Sequence, residues 1–142
     1  DFTFLVRHEA IGHAFAKLAD ENSSEANGQI PSSLVSDIKD KEKYGWWSNI
    51  DFTADPSVIK WARFISDQRY ASERIDVYKG GWGYWTGIWT PTWRSIMKGN
   101  SDTFNAPSRE AIWKRVMSLS NGPGWTPTYE AFVEYDLGVT EQ

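Results

Sequence analysis

The spacing of apolar positions divides the chain into helices separated by polar or glycine-rich stretches. Over residues 2 to about 19, Phe4, Leu5, Ile11, Phe15 and Leu18 recur at intervals that build one apolar helix, although its first residues also suit the end of a strand. Asn, Ser, Gly and Pro dominate residues 21–33, so a surface loop follows. A short helix is expected over residues 33–41, and residues 44–49 read as irregular chain. Asp55-Pro56 sets a capping residue before a proline at the first helical position, and Val58, Trp61, Ala62, Phe64 and Ile65 follow with helical spacing. Residues 78–92 are rich in glycine and aromatics without periodicity, the pattern of an ordered loop. Asn105-Ala106-Pro107-Ser108 opens another helix that turns Ile112, Trp113, Val116 and Met117 inward to about Leu119. A last helix is expected from Thr126-Pro127 to near Gly138. Strand signals are few, so the pattern predicts a mainly α fold with few or no strands.

Composition narrows the chemistry. At 142 residues the chain is one domain's worth of sequence. Its formal charge is −4 and its basic residues are scattered, which argues against nucleic acid as partner. No apolar run is long enough to span a membrane. With no cysteine, disulfides and thiolate metal sites are excluded, and histidine and carboxylates remain as ligands. The chain begins at Asp1 without an initiator methionine, and is read as a processed product or an excised piece. Its nine tryptophans gather mostly at Trp46, Trp47, Trp82, Trp85, Trp89 and Trp93. Large rings of this kind either pack loops and core or wall a substrate cleft.

Both histidines of the chain fall in Arg7-His8-Glu9-Ala10-Ile11-Gly12-His13. In the His-Glu-x-x-His helix of zinc peptidases, imidazoles at i and i+4 share one face and hold the ion, while the glutamate acts as base. Here the spacing is i and i+5. On a regular helix at about 100° per residue, five steps leave the side chains roughly 140° apart, too far round to share an ion. A π-type turn absorbs the extra residue, and Gly12 tolerates such a departure. A catalytic zinc needs a third protein ligand and an open position. Asp20 is the candidate third ligand, just past the helix end. Glu21 is either a carboxylate that orients an imidazole or the ligand itself if the turn is longer. Glu9 is the candidate general base. Three alternatives stand beside this reading. In an unbroken helix Glu9 and His13 pair at i and i+4, which makes Glu9 a ligand; the histidines could be ordinary helix residues; or a zinc could serve only to staple the fold. Met97, in Ser95-Ile96-Met97, is either an ordinary core methionine or, beneath a zinc site, a methionine turn that supplies an apolar floor to the imidazoles.

The run from His8 to Glu21, with Asp51-Phe52-Thr53, Lys60-Trp61, Asp67-Gln68-Arg69-Tyr70, Ser95-Ile96-Met97 and Phe104-Asn105-Ala106-Pro107-Ser108-Arg109-Glu110-Ala111-Ile112, resembles the IgA-peptidase family of zinc metallopeptidases, in its gut Bacteroidetes branch. The lengthened His-Glu spacing is also similar to that of dipeptidyl peptidase III enzymes, which implies that zinc can be held at this interval. The resemblance implies a metzincin-like catalytic domain, secreted or at the cell surface, that hydrolyses a protein or peptide substrate with Zn²⁺. A domain of that kind has most of its sheet before the active-site helix. The chain is therefore expected to be its C-terminal part, completed by an upstream segment or a partner chain, with apolar surface exposed on the first helix. Departures occur at Asn22, at Lys79-Gly80 and at Trp89-Thr90-Pro91, where relatives carry an aromatic residue, Glu-Gly and Tyr-Arg-Pro; they bear on substrate preference. Tyr78, Tyr84, Trp85 and Trp89, on the glycine-aromatic stretch, are candidate cleft residues, with a tyrosine there as oxyanion donor. A reading of a different class makes the chain a non-catalytic, Trp-rich module binding glycan or peptide.

Overall fold

Asp1 starts the first helix by accepting the backbone N–H of Thr3 at 2.9 Å on Oδ1, an ordinary N-cap. In the computed structural model, which describes residues 1–140, this helix, α1 (Phe2–Leu5), passes directly into a wider π-helix at Val6–Phe15. The widening is visible where the helix ends, with Ala16 N donating to Ile11 O at 2.9 Å, five residues back, and Leu18 N to Gly12 O at 2.9 Å. Lys17, at φ 55°, then reverses the chain. The expected single apolar helix is thus two helical forms in series. Leu5 was assigned to its buried surface and is instead 53 % exposed, with Phe2 at 80 % and Val6 at 40 %.

The remaining elements are α2 (Ser32–Glu42), α3 (Ala62–Ser66), strands β1 (Tyr78–Gly81) and β2 (Tyr84–Thr90), α4 (Ala106–Asn121) and α5 (Tyr129–Thr140). Short 3₁₀ turns lie at Glu25–Asn27, Gln68–Glu73 and Ile96–Lys98. The fold is mainly helical. Asn105 caps α4 through Ser108 N at 3.1 Å, as its sequence foretells. Two helix starts are corrected. Asp55 accepts from Ser57 N at 2.9 Å and its carbonyl from Ile59 N at 3.0 Å, but only turns follow until α3 begins at Ala62. The last helix begins at Tyr129, past Thr126-Pro127.

Residues 78–90 are a hairpin where a loop was expected. β1 and β2 pair antiparallel in the register Tyr78↔Thr90, Lys79↔Trp89 and Gly81↔Tyr84, with a bulge between Lys79 and Gly81. The two-residue turn places Trp82 and Gly83 at φ 50° and 79°, the positive pair of a type I′ turn. Tryptophan is a poor choice for that conformation, so the sequence hides the turn. Tertiary bonds hold it: Trp82 N donates to Asp20 O and Gly83 N to Asn22 O, each at 2.9 Å.

Three apolar clusters form the core. Trp61, Phe64, Trp113 and Phe132 join α3, α4 and α5; Ala19, Ile38, Ile50 and Ile88 join α2, the hairpin and the chain after the π-helix; Ala16, Leu18, Ile96 and Met97 lie beneath the π-helix. Polar ties reinforce the first cluster. Arg69 binds Asp67 at 2.7 Å and Glu130 at 3.0 Å, and Tyr129 OH donates to Asp67 Oδ2 at 2.9 Å, so one carboxylate fastens α5 to the turn after α3. The Arg69 guanidinium holds Asp67 down to about 2 from 3.8. Because the folded value is depressed, its stabilisation is present above the unfolded value near 3.8 and is lost as pH falls toward 2. Melting curves between pH 2 and 5 check this: Asp67→Asn should lower Tm by about 2–4 °C at pH 5 and remove part of the acid dependence seen in the parent.

Candidate metal centre

The π-helix does what a regular helix cannot. It brings His8 Nε2 and His13 Nε2 to 3.1 Å of each other although five residues separate them. The reversal at Lys17 then returns the chain, so that Asp20 Oδ1 lies 3.1 Å from His8 Nε2 and 3.3 Å from His13 Nε2. These three residues are the group among the described residues whose donor atoms converge tightly enough for a metal ion. Glu9 stands outside it, against the rival pairing with His13.

Each imidazole is oriented by a main-chain carbonyl. His8 Nδ1 bonds to Ile96 O at 2.9 Å and His13 Nδ1 to Leu18 O at 2.8 Å. A carbonyl only accepts, so both Nδ1 atoms carry the proton, and in the neutral rings both Nε2 lone pairs point at the shared space. Protein ligands at about 2.0–2.1 Å from a tetrahedral zinc lie roughly 3.3 Å apart along the tetrahedron's edges. The three separations of 3.1, 3.1 and 3.3 Å fit that spacing. The donor set, two imidazoles and a carboxylate, fits zinc as well. The hydrogen bond to Asp20 raises the His13 pKa above its usual value against the opposing effect of burial, and the bond from His13 lowers that of Asp20.

One side of the triad is open. His8 is buried and His13 half-buried, while the Asp20 side chain keeps 45 % of its exposure at the edge of a cleft of about 530 Å³. Glu9, an exposed residue, lines this cleft. Met97 is fully buried in the 3₁₀ turn, and a Cβ built on Gly12 would lie 2.5 Å from its Sδ. Met97 and the glycine of the wide helix are therefore fitted to each other.

Several assignments change. Glu21 neither orients an imidazole nor joins the triad: all four imidazole nitrogens have other partners, and the Glu21 carboxylate is turned inward to Asn49, Ser95 and Asn105. The aromatic wall is also different. Trp47 and Trp82 line the cleft, edge-to-face with ring centroids 5.0 Å apart. Tyr78 OH donates to Arg74 O at 2.7 Å, Tyr84 packs on the second core cluster, Trp85 lies under Lys79, and Trp89 packs on the first cluster, so none of these four lines the cleft. Each is held by its own contact elsewhere in the fold, which a short window of sequence does not show. Trp47 is placed by its positive φ of 62° and by Lys60 Nζ, which donates to Trp47 O at 3.1 Å. Comparison with protein-family models yields no match, and comparison with curated proteins yields none.

Proposed function

We propose that the chain provides the catalytic centre of a secreted or cell-surface zinc-dependent endopeptidase of metzincin-like type. The observation that supports this is the convergence of His8 Nε2, His13 Nε2 and Asp20 Oδ1 at tetrahedral-edge spacing beside a free glutamate in an open cleft. His8, His13 and Asp20 would hold the ion. When bound, zinc supplies a Lewis acid that acidifies water and polarises a peptide carbonyl. Glu9, next to His8 in sequence and on the cleft side, accepts the proton of the attacking water and passes it to the departing amine. The Nδ1 bonds to Ile96 and Leu18 keep both rings in the tautomer that leaves Nε2 free as ligand. Trp47 and Trp82 offer flat apolar contact to substrate side chains and reduce the water around the reacting bond.

Metal content tests the reading. Protein purified without added metal should carry about one zinc per chain, lost in His13→Ala and Asp20→Ala variants that still fold. A folded parent that takes up no zinc would sink it. A second reading, a glycan- or peptide-binding module, draws on a separate groove of about 380 Å³ lined by Tyr44, Trp46 and Trp125 together with Lys17 and Lys114. Tryptophan emission of chelator-treated protein, titrated with glycans and peptides, distinguishes the two. The peptidase reading expects any response to depend on restored zinc, and saturable binding without metal would favour the module.

A further inference from the structure

Glu21 has no exposed surface, and the chemistry above gives its carboxylate no task. A carboxylate removed from water is strongly destabilising unless hydrogen-bonded on every side, so its partners matter. Its oxygens accept from side chains on three separate segments: Asn49 Nδ2 at 3.0 Å, Asn105 Nδ2 at 3.0 and 3.2 Å, and Ser95 Oγ. Its own N–H donates to Met97 O at 2.9 Å.

Two of these ties lead straight back to the metal triad. Asn49 clamps Ala19, the residue before Asp20, by accepting its N–H at 2.8 Å and donating to its carbonyl at 2.9 Å. Ser95 opens the 3₁₀ turn and accepts Lys98 N at 3.1 Å; within that turn Ile96 O receives His8 Nδ1, and Met97 packs against Gly12 of the π-helix. The segment carrying Asp20 and the turn orienting His8 are otherwise far apart in sequence. Glu21 is where they meet.

We propose that Glu21 is a positioning residue for the metal site, locking the Asp20 segment to the Ile96–Lys98 turn so that Asp20 Oδ1 and His8 Nε2 are held at ligand spacing before an ion arrives. The proposal rests on the zinc reading. Preorganisation of this kind is expressed as affinity and ligand geometry, since a relaxed site must be reordered each time it binds.

The experiment is zinc affinity by chelator competition on the full chain, with the visible spectrum of the Co²⁺-substituted protein as second readout. Glu21→Gln keeps the shape and one carbonyl acceptor, but sets an NH₂ group against Asn105. It should bind zinc about 10–100-fold more weakly than the parent and shift the Co²⁺ ligand-field bands. Phe132→Leu, a change in the distant first core cluster, should lower Tm while leaving affinity and spectrum unchanged. Ser95→Ala retains the carboxylate and cuts one tie; if Glu21→Gln does not fold, the same weakening and spectral shift in Ser95→Ala carry the test. Parent-like affinity and spectrum in the folded Glu21→Gln protein, or in Ser95→Ala where it stands in, overturn the positioning role and leave the zinc reading intact. A folded parent that binds no zinc overturns both.

Discussion

Glu9→Gln should retain its zinc and hydrolyse peptides about 10²–10⁴-fold more slowly than the parent. The two halves of that expectation have separate origins. Zinc is retained because the converging donors are His8, His13 and Asp20, and the substituted side chain is none of them. Hydrolysis slows because an amide of nearly the same shape cannot accept a proton from water. Single-turnover cleavage of a fluorogenic peptide, with metal content measured on the same sample, checks both. Undiminished cleavage would end the role of Glu9 as base. Loss of zinc would instead favour the pairing of Glu9 with His13, and with it a regular helix in place of the wide one.

Gly12→Ala should lower stability by about 1–3 kcal/mol and weaken zinc binding with it. A regular helix usually gains from this substitution, by roughly 0.5–1 kcal/mol, because glycine loses more backbone freedom on folding. Here the new methyl would lie 2.5 Å from Met97 Sδ and 3.0 Å from its Cε. The end of a methionine is flexible, but this one is fully buried and its turn also carries the Ile96 carbonyl that orients His8. Overpacking at that point outweighs the propensity gain and pushes on a ligand. Chemical denaturation measures the first effect and chelator competition the second. The double variant Gly12→Ala with Met97→Ala should recover part of the zinc affinity, since it removes the atoms the methyl strikes. A Gly12→Ala protein more stable than the parent would show that Met97 yields without cost.

The helices legible in the sequence were those whose signals are local. Asn105 with Pro107 marked the start of α4, and the short helix expected over residues 33–41 matches α2 nearly to its ends. Asp55-Pro56 carried the same kind of signal and produced only turns, because Asp51 takes Lys60 N at 2.9 Å and Trp61 Nε1 bonds to Asp76 O at 2.9 Å, bonds that set the path of this segment. The hairpin was illegible for a related reason. Its turn has Trp82 at positive φ, a conformation that tryptophan does not favour and that the bonds to Asp20 and Asn22 impose.

The site divides along the same line. His8, His13 and the pair Asp20-Glu21 could be picked out from the chain alone as candidate donors, because the donor types are few and a five-residue histidine spacing brings two imidazoles together only if the helix widens; which carboxylate joins them stayed open. Where Glu21 turns could not, since a carboxylate next to Asp20 has the same local pattern whether it faces the imidazoles or the interior. Burial decides that, and burial depends on Asn49, Ser95 and Asn105 arriving from 28, 74 and 84 residues away. Nor could the cleft wall be read from a cluster of tryptophans, for the backbone turn at Trp82 and the Lys60 anchor at Trp47 select which rings face His8 and His13. Local covalent spacing determined which groups are candidate donors; long-range hydrogen bonds and packing, absent from any short window of sequence, decided which of them meet.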